Sequence, residues 1–202
     1  MTAPPAAGIV LPRLLLVTSG SGPASGWEIA VRTLLRGTSL QALVAVAASE
    51  VPPLAIDLDS IAGLAADEAA AEFVVGTLGV RVVMTRRAAL APVISGAGGL
   101  CLVRVNALDS TGMARTLTVP PAVQAGTAVS PGLAVPHLPR AERDRLGRPL
   151  VAYGLIRTPE EAETVFDSGV TTIAARPDNP ADRRWSIWAA GAPVTAVPRS
   201  SA

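Results

Sequence analysis

The chemistry open to this chain lies in the polar residues that close its short apolar runs. Asp57 and Asp59 end Leu54–Asp59 and, two apart, face the same side of a strand. Thr85, Arg86 and Arg87 end the run that begins at Arg81, and Arg104, Asn106, Asp109 and Ser110 close or follow Leu100–Val105. Pro131 and Gly132 follow Ala128–Ser130, Tyr153 and Gly154 follow Leu150–Ala152, and Arg176 follows Val170–Ala174. Guanidinium groups fork onto phosphate or carboxylate oxygens, and a glycine loop lets backbone N–H groups approach an anion. Carboxylates beside them accept from hydroxyls. The set suits a small, anionic, hydroxylated ligand. The plainer reading is that such Arg and Asp residues pair with one another to satisfy buried charge.

Other chemistries are excluded by residue type. Cys101 is the only cysteine, which removes a disulfide framework, a thiolate zinc cluster and a CxxC redox pair within the chain. It opens an apolar strand and reads as inert packing. His137 is the only histidine, so a His–His acid/base pair is unavailable; flanked by Pro136 and Pro139, it reads as an exposed loop residue. All 17 basic residues are Arg, which excludes lysine Schiff-base chemistry and a Walker-type phosphate loop. The formal charge of +1 supplies no field for coating nucleic acid or anionic membrane.

The elements that must position these residues alternate. Expected strands are Leu14–Val17, Ile29–Leu35, Leu54–Asp59, Arg81–Thr85, Leu100–Val105, Ala128–Ser130, Leu150–Ala152 and Val170–Ala174. Expected helices or helical turns are Ser39–Ala48, Asp67–Thr77, Arg87–Ser95, Ser110–Thr116, Pro159–Asp167 and Pro180–Ala190. Asp67 and Thr158 serve as N-caps, and Thr158-Pro159 with Glu161 makes a capping box. About eight apolar strands between helices predict a parallel sheet closed into a small (β/α)8 TIM-like barrel over residues 8–190, with degenerate first units. Residues 191–202 read as a flexible C-terminal tail. Half of the 202 residues are apolar but only 3% aromatic, so the core must be Ala, Val, Leu and Ile. Arg140–Arg145 carries alternating charge and reads as a solvated face, or with Arg148 as a phosphate-backbone contact. Arg183-Arg184-Trp185 could meet RNA by charge and stacking, although covering a barrel end suits its Trp better. No apolar run reaches the ~20 residues of a membrane helix, and Met1–Val10 has no basic n-region, so the chain reads as cytoplasmic.

Several blocks taken in order resemble a known family. They begin with Ile56-Asp57-Leu58-Asp59-Ser60-Ile61-Ala62-Gly63-Leu64, then Asp67, Ala70 and Glu72-Phe73, then Val82-Val83-Met84-Thr85-Arg86. Arg104, Asp109-Ser110, Pro131-Gly132 and Pro136 come next, followed by Gly154-Leu155-Ile156-Arg157-Thr158, Glu160-Glu161 and Ser168-Gly169. Spread over roughly residues 30–176, they resemble the glycerol-3-phosphate responsive antiterminator family. The resemblance implies a TIM-like barrel and a regulator that binds a messenger-RNA leader when glycerol 3-phosphate is present. It places Asp59, Gly63, Arg86, Arg104, Asp109, Ser110, Gly132, Gly154, Leu155 and Arg176 around the ligand, and implies no catalytic residue, metal or cofactor. A homo-oligomer is left open.

The chain also departs from that pattern. Tyr153-Gly154 stands where the family has Gly-Gly, and Ala174-Ala175-Arg176 where it has Ser-Thr-Ser. Asp57 replaces a His, and Ala128 a Glu. These changes leave two other readings: a degenerate member serving as a protein-interaction module, and a barrel enzyme on a small phosphorylated metabolite with Asp59 or Asp109 as general base.

Overall fold

The computed structural model describes residues 9–19, 32–49, 55–107, 125–177 and 182–191. Its strands are β1 (Leu14–Thr18), β2 (Arg32–Leu35), β3 (Ala55–Asp57), β4 (Val82–Thr85), β5 (Leu100–Asn106), β6 (Gly126–Ser130), β7 (Leu150–Tyr153) and β8 (Thr172–Ala175). Each pairs in parallel with the next, and β8 pairs with β1 to close the barrel. The expected α/β TIM-like barrel is the observed architecture. The start of the second expected strand and the turn at Ser110–Thr116 fall outside the described residues.

The helices are α1 (Leu40–Ala47), α2 (Glu68–Glu72), α3 (Ala91–Gly96), α4 (Arg140–Arg143), α5 (Pro159–Phe166) and α6 (Arg183–Ala189). Local chemistry starts them. The Ser39 hydroxyl accepts from Ala42 N–H, the Asp67 carboxylate from Ala70 N–H, and Thr158 with Glu161 forms the expected capping box under Pro159. The helix expected over Asp67–Thr77 is α-helical only to Glu72 and continues as a π-turn, Phe73–Thr77. The wider turn lets the adjacent, stiff Val74 and Val75 both bury.

Inside the barrel, Leu15, Leu34, Met84, Leu102 and Tyr153 interleave with Ala55, Ala128 and Ala174. Large residues face small ones, so an aromatic-poor sequence still fills the axis. Gly126 belongs to this scheme, because a Cβ there would come within 2.6 Å of the Pro149 carbonyl oxygen and 2.7 Å of Leu102. Outside, one apolar cluster joins α1–α3 to the wall of β3–β5, and a second joins α5 and α6 to β1, β6, β7 and β8.

The terminal helix corrects two expectations. It runs from Arg183 under an Asp182 cap, and its Trp residues cover the outer wall rather than a barrel end. Trp185 and Trp188 meet edge to face at 6.1 Å, and Trp188 meets Phe166 at 5.7 Å. Trp185 is 1% exposed, which leaves no face on which a base could stack. Arg184 is spent on Asp182 and Glu160. The α4 segment is solvated as expected, with Arg140 3.6 Å from Asp144, while Arg148 donates to the Gly169 carbonyl.

Candidate ligand site at the carboxyl mouth of the barrel

The third strand stops at Asp57, two residues earlier than expected, and Leu58–Ser60 forms a 3-10 turn. Ser60 makes the turn: its hydroxyl donates to the Asp57 carbonyl and accepts from Gly37 N–H. Asp57 therefore points into the barrel from a strand, and Asp59 reaches the same mouth from a turn.

Arg104 occupies the inward position of β5 at this level. Its Nη1 donates to both Asp57 carboxylate oxygens at 3.2 Å, and its Nε donates to the Tyr153 hydroxyl at 2.9 Å. Arg36 closes on the other side of Asp57, with Nε 3.0 Å from Oδ2. Both guanidinium groups lie over the Tyr153 ring, 5.6 and 5.7 Å from its centroid. Tyr153 is 3% exposed and Asp57 fully buried, so this assembly plugs the axis.

Burial pushes the Asp57 carboxyl above its ordinary range, although Arg104 and Arg36 pull the other way. Burial works against the charge on Arg104, but the Tyr153 hydroxyl and the Asp57 carboxylate hold it above its ordinary value. Burial also pushes the Cys101 thiol up to about 12, which leaves it inert as expected.

Asp59 anchors the next loop. It accepts from Arg86 N–H at 2.7 Å and from the Thr85 hydroxyl at 3.3 Å; Arg86 Nε and Arg104 Nη1 both stand 3.7 Å away. Beside it opens a cleft of about 460 Å³ lined by Asp59, Leu64, Ala66, Arg86 and Arg87. Gly63, at φ +84°, turns the chain into that wall.

Across the mouth, the loops after β6 and β7 are locked together. Gly132 N–H donates to the Gly154 carbonyl at 3.0 Å, and a Cβ on Gly132 would come within 2.6 Å of Ile156. Gly154 and Leu155 are both left-handed, and Leu155, at φ +63°, is 58% exposed. Arg176 is exposed and donates to the Ser19 hydroxyl at 3.2 Å.

Asp59, Gly63, Arg86, Arg104, Gly132, Gly154, Leu155 and Arg176 thus share the end at which the strands finish. Asp109 and Ser110 lie outside the described residues. His137 is exposed as expected, at the end of a partly buried 3-10 turn, Gly132–His137, rather than in a loop. Arg36 was missed, although it closes the Leu34-Leu35 run just before Gly37 and satisfies the rule that found the others. Among the described residues no cluster of His, Cys, Asp and Glu is placed to hold a metal ion, and no helix is long and apolar enough to cross a membrane.

A family model described as glycerol-3-phosphate responsive antiterminator matches residues 27–178. The chain resembles a glycerol uptake operon antiterminator regulatory protein from Listeria monocytogenes, with a TM-score of 0.72 at 17% identity over 85% of this chain and 98% of that one. It also resembles a glycerol uptake operon antiterminator-related protein from Thermotoga maritima, with a TM-score of 0.65 at 23% identity over 84% and 95%. An aldolase shares the fold at 14% identity and a TM-score of 0.53, over 73% and 78%. A search of curated protein sequences finds no match.

Proposed function

The chain belongs to the glycerol-3-phosphate responsive antiterminator family, and from that membership we propose that it is a transcription regulator that binds a messenger-RNA leader in response to glycerol 3-phosphate or a related small anion. One observation carries the ligand part of this reading. Arg36, Arg86, Arg87, Arg104 and Arg176 gather at the mouth, and among the described residues their ion pairs fall on two carboxylates, Asp57 and Asp59. Guanidinium groups so gathered attract an oxyanion, and the carboxylate edge suits hydroxyls. A regulator fits better than an enzyme. A general base needs a partner acid and a substrate proton within reach. The described mouth instead offers Asp59 beside arginines, an arrangement that binds a hydroxylated anion without supplying a proton donor.

The test is retention of RNA from a pool of leader transcripts by the full chain, with and without millimolar glycerol 3-phosphate. A discrete RNA retained at least tenfold better with the ligand is expected. Equal retention in both arms, or none, contradicts the reading.

Tyr153 favours a second reading. Its ring fills the axis and its hydroxyl takes an Arg104 donor that a ligand would otherwise use. On that reading the barrel is a protein-interaction module indifferent to small anions, and the exposed, strained Leu155 is a contact point. Failure of every anion to shift the unfolding temperature supports it.

A further inference from the structure

We infer that the anion is bound off the barrel axis, in the cleft between the loops that follow β3 and β4, with its oxygens on Arg86 and Arg87 and a neighbouring hydroxyl on Asp59. The choice of glycerol 3-phosphate as occupant rests on the function proposed above; the oxyanion site itself does not.

The axis is already satisfied. Arg104 spends Nη1 on Asp57 and Nε on Tyr153, and both of those residues are buried. An anion entering there must break this pairing and face the Asp57 carboxylate, which Arg104 and Arg36 both already contact. The cleft offers the opposite. Arg87 is exposed, and its guanidinium has no partner among the described residues. The Arg86 side chain is 72% exposed and reaches Asp59 only at 3.7 Å, beyond hydrogen-bonding distance.

The bases of both side chains are nevertheless fixed. Arg86 N–H donates to Asp59 at 2.7 Å, and Arg87 N–H donates to the Thr85 hydroxyl at 3.1 Å. Two exposed guanidinium groups on a pinned backbone can close on one oxyanion at the cost of ordering their side chains alone. The Asp59 side chain, only 5% exposed, lines the same cleft with an oxygen that Thr85 holds loosely at 3.3 Å. Leu64 and Ala66 complete the wall with apolar surface suited to the carbon chain of a short polyol. A volume of about 460 Å³ admits a ligand of that size. Two positive groups against one negative select a phosphate or carboxylate over a neutral polyol.

The test is calorimetric titration of the full chain with inorganic phosphate and, separately, with glycerol 3-phosphate. Arg87→Ala should weaken phosphate binding tenfold or more at an unchanged unfolding temperature, since that guanidinium has no partner among the described residues. Arg81→Ala, at the opposite end of the barrel, should bind as the wild type does. Asp59→Asn should retain inorganic phosphate while losing any preference for glycerol 3-phosphate over it. Wild-type affinity in Arg87→Ala, or a loss confined to Arg176→Ala, overturns the assignment, as does absence of phosphate binding by the wild type. Arg87-dependent binding of phosphate with no preference for glycerol 3-phosphate upholds the cleft and overturns the choice of occupant alone.

Discussion

Arg104 joins two charged or polar groups that are 47 and 49 residues away from it in the chain, and the three side chains behave as one unit. Replacing Arg104 by Met leaves Asp57 buried beside Arg36 alone. A loss of about 3–5 kcal/mol in a denaturant melt is expected, because an underpaired buried charge remains. Tyr153→Phe removes a single hydrogen bond to a charged donor and should cost about 1.5–3 kcal/mol. The titration of Asp57 gives a second handle. Its carboxyl binds a proton more readily folded than unfolded, so its contribution is full below the unfolded value and is lost as pH rises through the folded one. Asp57→Asn lacks that dependence. Its stability relative to the wild type should therefore increase as pH is raised from about 4 to 7, and paired melts across that range check the sign. A constant or falling difference would place the folded carboxyl at or below its ordinary range.

Elements were legible where their signals are local. The Thr158–Glu161 capping box and the Asp67 cap sit within three residues of what they hold, so α5 and α2 start where the sequence says. The end of β3 was not legible, because it depends on Ser60 bridging to Gly37 on another strand connection. The π-turn at Phe73–Thr77 depends on core space that periodicity does not report. Gly126 belongs to this scale as well. It appears in the sequence as one glycine among 18, yet it is the position where β6 passes under Leu102 and Pro149. Gly126→Ala should cost about 1–3 kcal/mol through overpacking, read as a lower unfolding temperature with the cooperative transition retained. A neutral result would mean that the barrel interior yields there.

At the scale of the molecule, eight parallel strands close into a ring and bring the ends of all eight to one mouth. Alternation of apolar runs with helices was enough to foresee that closure, and so to gather Asp59, Arg86, Arg104, Gly132, Gly154 and Arg176 at one end. Which of them pair was not foreseeable, since partners such as Asp57 and Arg104 lie on non-adjacent strands of the ring. The mouth that results has a filled centre and an open flank, and the described ion pairs of its arginines fall on Asp57 and Asp59. Ligand binding at that mouth is most directly tested by thermal unfolding of the full chain against a glycerol 3-phosphate series, with glycerol and chloride as controls. A saturable rise is expected, worth about 2.7 kcal/mol when the ligand is at a hundredfold excess over Kd, with neither control reproducing it. An unfolding temperature that does not move at millimolar glycerol 3-phosphate contradicts a ligand-responsive barrel.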